Sequence, residues 1–336
     1  MMRSLYSGVS GLRNHQTRMD VIGNNIANVN TVGYKTSRVV FQDVYSQTSK
    51  VAGAPSTESG GTNPIQIGLG VTLAAIDVLH TSSATQRTDN PTDLCIEGDG
   101  FFVVQGATQL LYTRAGNLYI DNLGNLVTAG GNYLMGLQSI NYVLDVTDPD
   151  NPLIVLDSGT PPQPVDPTGD PTYDAANYEI KFGPSPLAYE MIDPTGAVDD
   201  INNYSTKINR SALTHINLTG FTGISIDEYG VIRGLDEDGE KQIIAKIALA
   251  TFTNPAGLEK KGNSQYAASA NSGQPVFSDP YTFGAGKTLP GGLEMSNVDL
   301  AAEFTDMIVT QRGFQANSRI ITTSDSLLEE LVNLKR

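Results

Sequence analysis

The sequence predicts a mixed α and β fold: long terminal α-helices that form an antiparallel coiled coil, and mostly-β middle domains, one discontinuous and one inserted. Three observations predict it. Apolar residues recur at alternating spacings of three and four near both ends. Short β-type runs separated by Gly, Asn and Asp dominate the middle, and an acidic, proline-rich stretch interrupts them. A chain of 336 residues can hold two or three domains with hydrophobic cores.

The C-terminal stretch from Leu293 to Arg336 carries the longer apolar pattern. Polar Gln311, Ser318 and Asp325 fill the gaps in this seam, which predicts a helix of roughly 35 residues, about 50 Å long. Acidic residues load its first turns, as the helix dipole prefers. The seam residues of this predicted helix are Leu300, Phe304, Met307, Phe314, Ile321, Leu328 and Val332.

The N-terminal stretch repeats the same spacing at Leu5, Val9, Leu12, Met19 and Ile26. Burying about a dozen seam side chains at ~1.5–3 kcal/mol each does not offset a backbone entropy cost of roughly 1–2 kcal/mol for each of ~60 residues. We therefore predict that residues 1–30 and 293–336 form an assembly interface that becomes ordered when many copies pack together. An ordinary helical hairpin docked on its own domain is the alternative.

Between the ends, composition changes three times. Residues 31–70 are polar with Ser, Thr and Gly clusters, which predicts an extended connector, or a mobile linker. Residues 71–140 and 216–285 share strand and hairpin patterns and are predicted to be two halves of one β-domain. Residues 141–215 form an acidic, Pro-rich insert, predicted to be an outward-facing β-domain, with a long disordered loop as the alternative. Between residues 141 and 200 the sequence has twelve acidic residues and a single basic residue, Lys181.

Composition excludes several function classes. The net charge of −15 argues against nucleic acid as a partner, because phosphates require a basic surface. No apolar run is long enough for membrane insertion, and the first thirty residues lack the apolar core and cleavage site of a secretory signal. We expect either a cytoplasmic location or export without a cleaved peptide.

No catalytic, cofactor-binding or metal-binding residues are predicted. The short glycine pairs, such as Gly98-Asp99-Gly100, lack the third glycine of a dinucleotide loop. His15, His80 and His215 are isolated in sequence, so no cluster has metal-ligand spacing. These observations predict that the protein is not an enzyme and needs no cofactor. The single cysteine, Cys95, excludes an internal disulfide and by composition is a small buried hydrophobe.

Five long motifs lie at Gly23–Lys35, Asp93–Val104, Tyr112–Gly116, Leu293–Leu300 and Met307–Arg319. They resemble the rod and hook proteins of the bacterial flagellum, and the resemblance covers both ends and most of the middle. The run Gly313-Phe314-Gln315-Ala316 in the last motif resembles hook members more than distal-rod members.

The resemblance implies a structural subunit of the flagellar hook, polymerising into a curved, flexible tube that transmits torque from the rod to the filament. It implies export without a cleaved signal peptide and a location outside the cell in the hook and basal body. The implied partners are further copies of the chain, the distal rod, hook cap and hook–filament junction proteins, and the flagellar type III export apparatus. A distal rod subunit is one alternative. A surface-binding or hydrolytic β-protein is another, and would require a pocket of converging polar groups.

The resemblance also suggests a second role for Cys95. In spirochaete hook proteins a cysteine joins a lysine of the neighbouring subunit covalently, which makes Cys95 a candidate inter-subunit cross-link. No lysine lies between Val51 and Tyr178, so any partner would be more distant in sequence, such as Lys50 or Lys241.

Overall fold

A computed structural model describes residues 2–54, 60–138, 140–145, 213–236, 239 and 241–334, together with short strands between 155 and 208. Among these residues the chain is mostly β, with one long helix near each end. The helices are α1 (Met2–Ala27) and α2 (Leu300–Asn333). Neither is long and apolar enough to cross a membrane.

The strands fall into three groups along the chain. The first group is β1 (Ser37–Asp43), β2 (Ser46–Lys50), β3 (Ile65–Gly68), β4 (Val71–Val78), β5 (Thr85–Arg87), β6 (Leu94–Glu97), β7 (Phe101–Gln105), β8 (Leu110–Thr113), β9 (Leu118–Ile120), β10 (Leu126–Thr128) and β11 (Tyr133–Gln138). The second group is β12 (Ile140–Asp145), β13 (Val155–Leu156), β14 (Tyr178–Gly183), β15 (Tyr189–Met191) and β16 (Tyr204–Ile208). The third group is β17 (Thr214–His215), β18 (Thr222–Ile226), β19 (Val231–Leu235), β20 (Lys241–Ile247), β21 (Leu249–Thr251), β22 (Glu259–Gly262), β23 (Gln265–Ala267), β24 (Val276–Ser278), β25 (Lys287–Pro290) and β26 (Gly292–Glu294).

The chain divides into two compact units. The helical unit comprises Met1–Asn30, Lys35–Thr81 and Asn297–Arg336, and the β unit comprises Thr31–Tyr34 and Ser82–Ser296. In the helical unit the two helices pack together, and β1 pairs antiparallel with β4 from Ser37↔Val78 to Asp43↔Val71. A second antiparallel pair, β2 with β3, lies in the same unit.

Strands from both sides of the insert build the core of the β unit. β7 pairs with β8, β11 and β21, and β11 pairs in turn with β20, so residues far apart in sequence share one sheet. The buried side chains are aliphatic and aromatic, and β7 and β11 each bury four consecutive residues, as expected of strands that are covered on both faces. They include Phe102, Val104, Leu134, Ile232 and Ile247.

The structure divides the chain differently from the predicted boundaries. The prediction places β4 at the start of the β-domain, whereas this strand belongs to the helical unit. The reason is its contacts with α1: Asn14 Nδ2 donates to the Val71 carbonyl at 2.7 Å, and the Val71 N–H donates to Ser10 Oγ at 3.4 Å. The predicted connector, 31–70, contains β1, β2 and β3. Apart from β12–β17 and the residues from 213 onward, the predicted insert at 141–215 lies outside the described residues.

Candidate assembly interface

The face of α1 that contacts α2 combines small and polar residues with the apolar Ile22. Gly8, Gly11, Ile22 and Asn25 are buried, and His15 continues their spacing of three and four along the helix. A Cβ on Gly11 would lie 2.5 Å from Asn317 Nδ2, and one on Gly8 would lie 3.3 Å from the Ile321 side chain. The glycines therefore let the two helices approach closely.

The matching face of α2 alternates polar and apolar residues. Glu303, Thr310, Asn317 and Ser324 recur every seven residues; Thr310 and Ser324 are buried, and the other two are half-buried. Four positions after each of them lies a half-buried apolar residue. These apolar residues are Met307, Phe314, Ile321 and Leu328.

Contacts between the helices run in opposite chain directions. Gly8 lies against Ile321, Gly11 against Asn317 and His15 against Gly313. Further along, Arg18 forms a 2.9 Å ion pair with Asp306, and Asn25 Nδ2 donates to Glu303 Oε1 at 3.0 Å. Partner numbers in α2 fall as residue numbers in α1 rise.

The predicted seam residues divide into two sets. Leu5, Leu12, Met19 and Ile26 of α1 are half-buried, as are the four apolar residues of α2 named above. Val9, Leu300, Phe304 and Val332 are exposed. The positions nearest the partner helix include small and polar residues that the prediction left out, together with the predicted Ile321, which lies against Gly8. Two sequence signals could have identified these positions: the spacing of three between Gly8 and Gly11, and the heptad repeat of Thr310, Asn317 and Ser324.

A second apolar face of α2 is exposed, with Ile320 at its edge beside Gly8 of α1. Val309, Ile320 and Leu327 retain 57%, 45% and 47% of their accessible surface. Their spacings of eleven and seven residues place them on one side of a helix with 3.6 residues per turn. In a single chain this face has no apolar cover among the described residues.

A buried amide network joins the end of α1 to β1 and to the start of α2. Asn25 Nδ2 donates to the Ser37 carbonyl at 2.9 Å, and the Ser37 N–H donates to Asn25 Oδ1 at 3.0 Å. Asn297 Oδ1 accepts from the Thr36 N–H at 2.7 Å. Burial raises the pKa of Glu303, and the hydrogen bond from Asn25 opposes that shift. The network fixes the register of the helices against β1.

Within the β unit, the segment Thr31–Tyr34 packs against residues from later in the chain. The Gly33 N–H donates to the Glu294 carbonyl at 2.8 Å, and Lys260 Nζ lies 4.8 Å from the centre of the Tyr34 ring. The Glu294 side chain is buried and forms a 3.5 Å ion pair with the buried Arg114. Gly23–Lys35, Tyr112–Gly116 and Leu293–Leu300, three of the motifs noted above, thus meet around one buried ion pair.

The surroundings of His15 disfavour the charged imidazolium. Its ring packs edge-on against Phe41, with 6.2 Å between ring centroids, and lies beside Gly313. Burial lowers its pKa below the ordinary value, and the charge of Arg18 lowers it further.

Cys95 lies in β6, opposite Leu289 of β25. It is buried, and its Sγ lies 3.5 Å from Thr85 Oγ1. Such a position fits a small packed side chain, and a covalent link there stays a prediction. Among the described residues no group of three or more His, Cys, Asp or Glu could hold a metal ion.

Three family models match the chain. The flagella basal body rod protein model matches residues 5–35, the flagellar hook protein FlgE/F/G D1 domain model matches residues 95–170, and the flagellar basal body rod FlgEFG protein C-terminal model matches residues 289–334. The first and last of these regions contain the two helices of the candidate interface.

Curated relatives match over their whole lengths. The flagellar basal-body rod protein FlgG of Bacillus subtilis (strain 168) is 41% identical over 337 residues, covering 100% of both chains. The flagellar hook proteins FlgE of Borreliella burgdorferi and Treponema pallidum are 35% and 34% identical over 441 and 463 residues, again covering 100% of each chain.

Proposed function

We propose that this chain, which belongs to the family of flagellar basal-body rod and hook proteins, is a structural subunit of the flagellar hook. It polymerises into a curved, flexible tube that transmits torque from the rod to the filament.

The observation that carries the polymerisation is the distribution of side chains on α2. The face toward α1 buries polar groups such as Thr310 and Ser324, while Val309, Ile320 and Leu327 stay exposed. Full burial of an apolar side chain of this size contributes about 1.5–3 kcal/mol of free energy. Because the three side chains stay exposed in the single chain, contacts with other chains would supply this burial. The terminal helices, paired as an antiparallel coiled coil, therefore form the inner wall of the tube.

Contacts between different surfaces of successive copies do not close into a ring, and they generate an open helical assembly. Axial packing of the helices then carries torque, while the β units slide between packing arrangements as the tube bends. The acidic insert at 141–215 faces outward, where its negative charge keeps assembled tubes soluble and apart.

The proposed partners follow from this assembly. They are further copies of the chain, the distal rod, hook cap and hook–filament junction proteins, and the flagellar type III export apparatus, which passes the subunit without cleavage of a signal peptide. The role is mechanical rather than enzymatic. If Cys95 links neighbouring subunits, boiling purified assemblies in denaturant leaves oligomers; monomers alone would exclude the link.

A distal rod subunit is the second candidate, and one observation favours it. The alignment with the Bacillus subtilis rod protein spans 337 residues, whereas those with the two hook proteins span 441 and 463 residues. The chain thus has the size of a rod relative. Electron microscopy separates the two functions, because hook subunits form curved tubes and rod subunits form straight ones.

The test of polymerisation uses the full chain. We expect a variant with Val309→Ser, Ile320→Ser and Leu327→Ser to remain dispersed under conditions in which the wild type forms tubes visible by electron microscopy. A control with Gln311→Ser, Gln315→Ser and Thr322→Ser, at exposed polar residues of the same helix, should polymerise normally. Tubes from the apolar-face variant would refute the proposal, as would tubes from a chain lacking residues 1–30.

A further inference from the structure

The β unit carries its own exposed apolar surface. Among its described residues, six large hydrophobic side chains are exposed: three lie on the β9–β10 hairpin and three in the loops that hold Tyr229 and residues 281–283. One group, the aromatic patch, consists of Tyr229, Tyr281 and Phe283. The other, the hairpin patch, consists of Tyr119, Ile120 and Leu123 on the β9–β10 hairpin.

The backbone of the aromatic patch is strained. Tyr281 and Phe283 have φ values of +68° and +48°, in the left-handed region that bulky residues rarely adopt. Asn or Gly fits such positions at lower cost, so the backbone conformation does not account for two aromatic rings there. Strain of this kind at exposed large side chains indicates a binding role.

The loop that presents the patch is firmly held. The Tyr281 N–H donates to the Gly286 carbonyl at 3.2 Å, and the Gly286 N–H donates to the Asp99 carbonyl at 2.7 Å. The Tyr229 and Tyr281 rings lie 5.2 Å apart, and the Tyr281 hydroxyl donates to Glu228 at 3.3 Å. The rings are thus ordered before any contact forms, which lowers the entropy cost of binding.

The size of each group indicates what kind of contact it makes. The aromatic side chains are 58%, 52% and 48% exposed. Since such side chains present about 150–250 Å² each, the patch offers on the order of 300 Å². A stable complex of two proteins buries about 800 Å² on each partner, so this patch alone cannot hold a dimer in dilute solution. It suits one of several lateral contacts of a polymer subunit.

We propose that the aromatic patch of one subunit contacts the hairpin patch of a neighbouring copy, an inference that rests on the proposed polymerisation. In an assembly that does not close, each contact joins two different surfaces, and these are the two exposed apolar groups among the described residues of the β unit. An acidic residue in each group already has a hydrogen-bond donor: Glu228 accepts from the Tyr281 hydroxyl, and Asp121 accepts from the N–H groups of Leu123 and Asn125.

The first test is a cysteine cross-link. Because Cys95 is buried, a mild oxidant meets only introduced thiols. We expect polymers of the Phe283→Cys/Leu123→Cys variant to give a ladder of disulfide-linked oligomers, and polymers of either single variant to give monomers. If the double variant polymerises normally but its oxidised polymers contain only monomers without disulfide links, the inference is overturned and the proposed function stands. A wild type that forms no polymer would instead refute the proposed function.

A second test removes the rings without adding strain. The Tyr281→Asn/Phe283→Asn variant has residues that tolerate left-handed backbone, so relief of strain offsets the lost contacts of Tyr281 with Glu228 and Tyr229. The melting temperature of the dispersed subunit should therefore stay close to that of the wild type. Loss of an aromatic interface cluster should raise the critical concentration for polymerisation about tenfold or more. A control, Ser264→Asn, alters another left-handed residue of the β unit, with φ +55°, and should polymerise as the wild type does. An unchanged critical concentration in the double variant would contradict the proposed contact.

Discussion

Replacing Gly33 tests how the Thr31–Tyr34 segment is held on the β unit. Gly33 has φ +65°, and a Cβ there would lie 2.6 Å from the Ala115 nitrogen and 2.7 Å from the Arg114 carbonyl carbon. Both are backbone atoms that cannot rotate away. Gly33→Ala should therefore undock the segment and weaken the 2.8 Å hydrogen bond from the Gly33 N–H to the Glu294 carbonyl.

The size of the effect follows from two costs. A left-handed conformation costs Ala about 1–2 kcal/mol. Loss of the hydrogen bond costs about 0.5–1.5 kcal/mol. Since about 1.4 kcal/mol corresponds to a factor of ten, hydrogen exchange at residue 33 should accelerate roughly ten- to three-hundredfold. Mass spectrometry of peptides spanning residues 29–36 measures it in the full chain.

Two further variants separate backbone strain from close approach. Gly131→Ala, at a residue with φ +78° and no atom within 4 Å of a built Cβ, should leave exchange at Gly33 unchanged. Gly33→Asn tolerates the left-handed backbone but places a Cβ against the same atoms, so its exchange should lie between those of the wild type and Gly33→Ala. An Asn variant that exchanges as slowly as the wild type would refute the argument from close approach.

Three other predictions concern single side chains. Asp299→Ala removes the acceptor for two N–H groups in the first turn of α2 and should destabilise the helix by about 0.5–2 kcal/mol, seen as faster exchange there. Because the pKa of His15 is lowered in the folded chain, the unfolded chain binds protons more readily, and stability should fall as the pH drops below 6.5. In thermal melts, His15→Gln should lose this pH dependence of the melting temperature, whereas His215→Gln should keep it. Arg114→Leu removes the buried guanidinium that pairs with Glu294 and should cost about 3–5 kcal/mol in urea unfolding. The Arg114→Leu/Glu294→Leu variant should cost less than the sum of the two single variants, and additive losses would contradict the ion-pair argument.

Periodicity was enough to locate both helices but not to choose the faces that meet. The pattern of Met307, Phe314, Ile321 and Leu328 predicts a helix, and α2 extends over Leu300–Asn333. The positions of α2 nearest α1 include polar residues such as Asn317, and hydrophobic periodicity does not identify polar residues. A glycine such as Gly11 contributes to helix pairing through the space it leaves, and that depends on the partner helix.

Motif resemblance located residues of the candidate interface without explaining them. Asn25 and Gly33 belong to one motif, and Glu294 and Asn297 belong to another. Asn25 forms a pair of hydrogen bonds with the Ser37 backbone, whereas Gly33 lies against the backbone of Arg114 and Ala115, just after β8. Such roles involve contacts between distant parts of the chain, which a single sequence does not display.

By itself, the sequence determined the helical ends, the β-rich middle and membership of the rod and hook family, because these depend on local periodicity and on long contiguous motifs. Only the tertiary structure decided that Val71–Val78 joins the helical unit, that glycines and polar residues line the helix pair, and that exposed apolar groups remain on α2 and on the β unit. The physical reason is that burial depends on which surfaces meet, and each surface is assembled from residues that lie far apart along the chain.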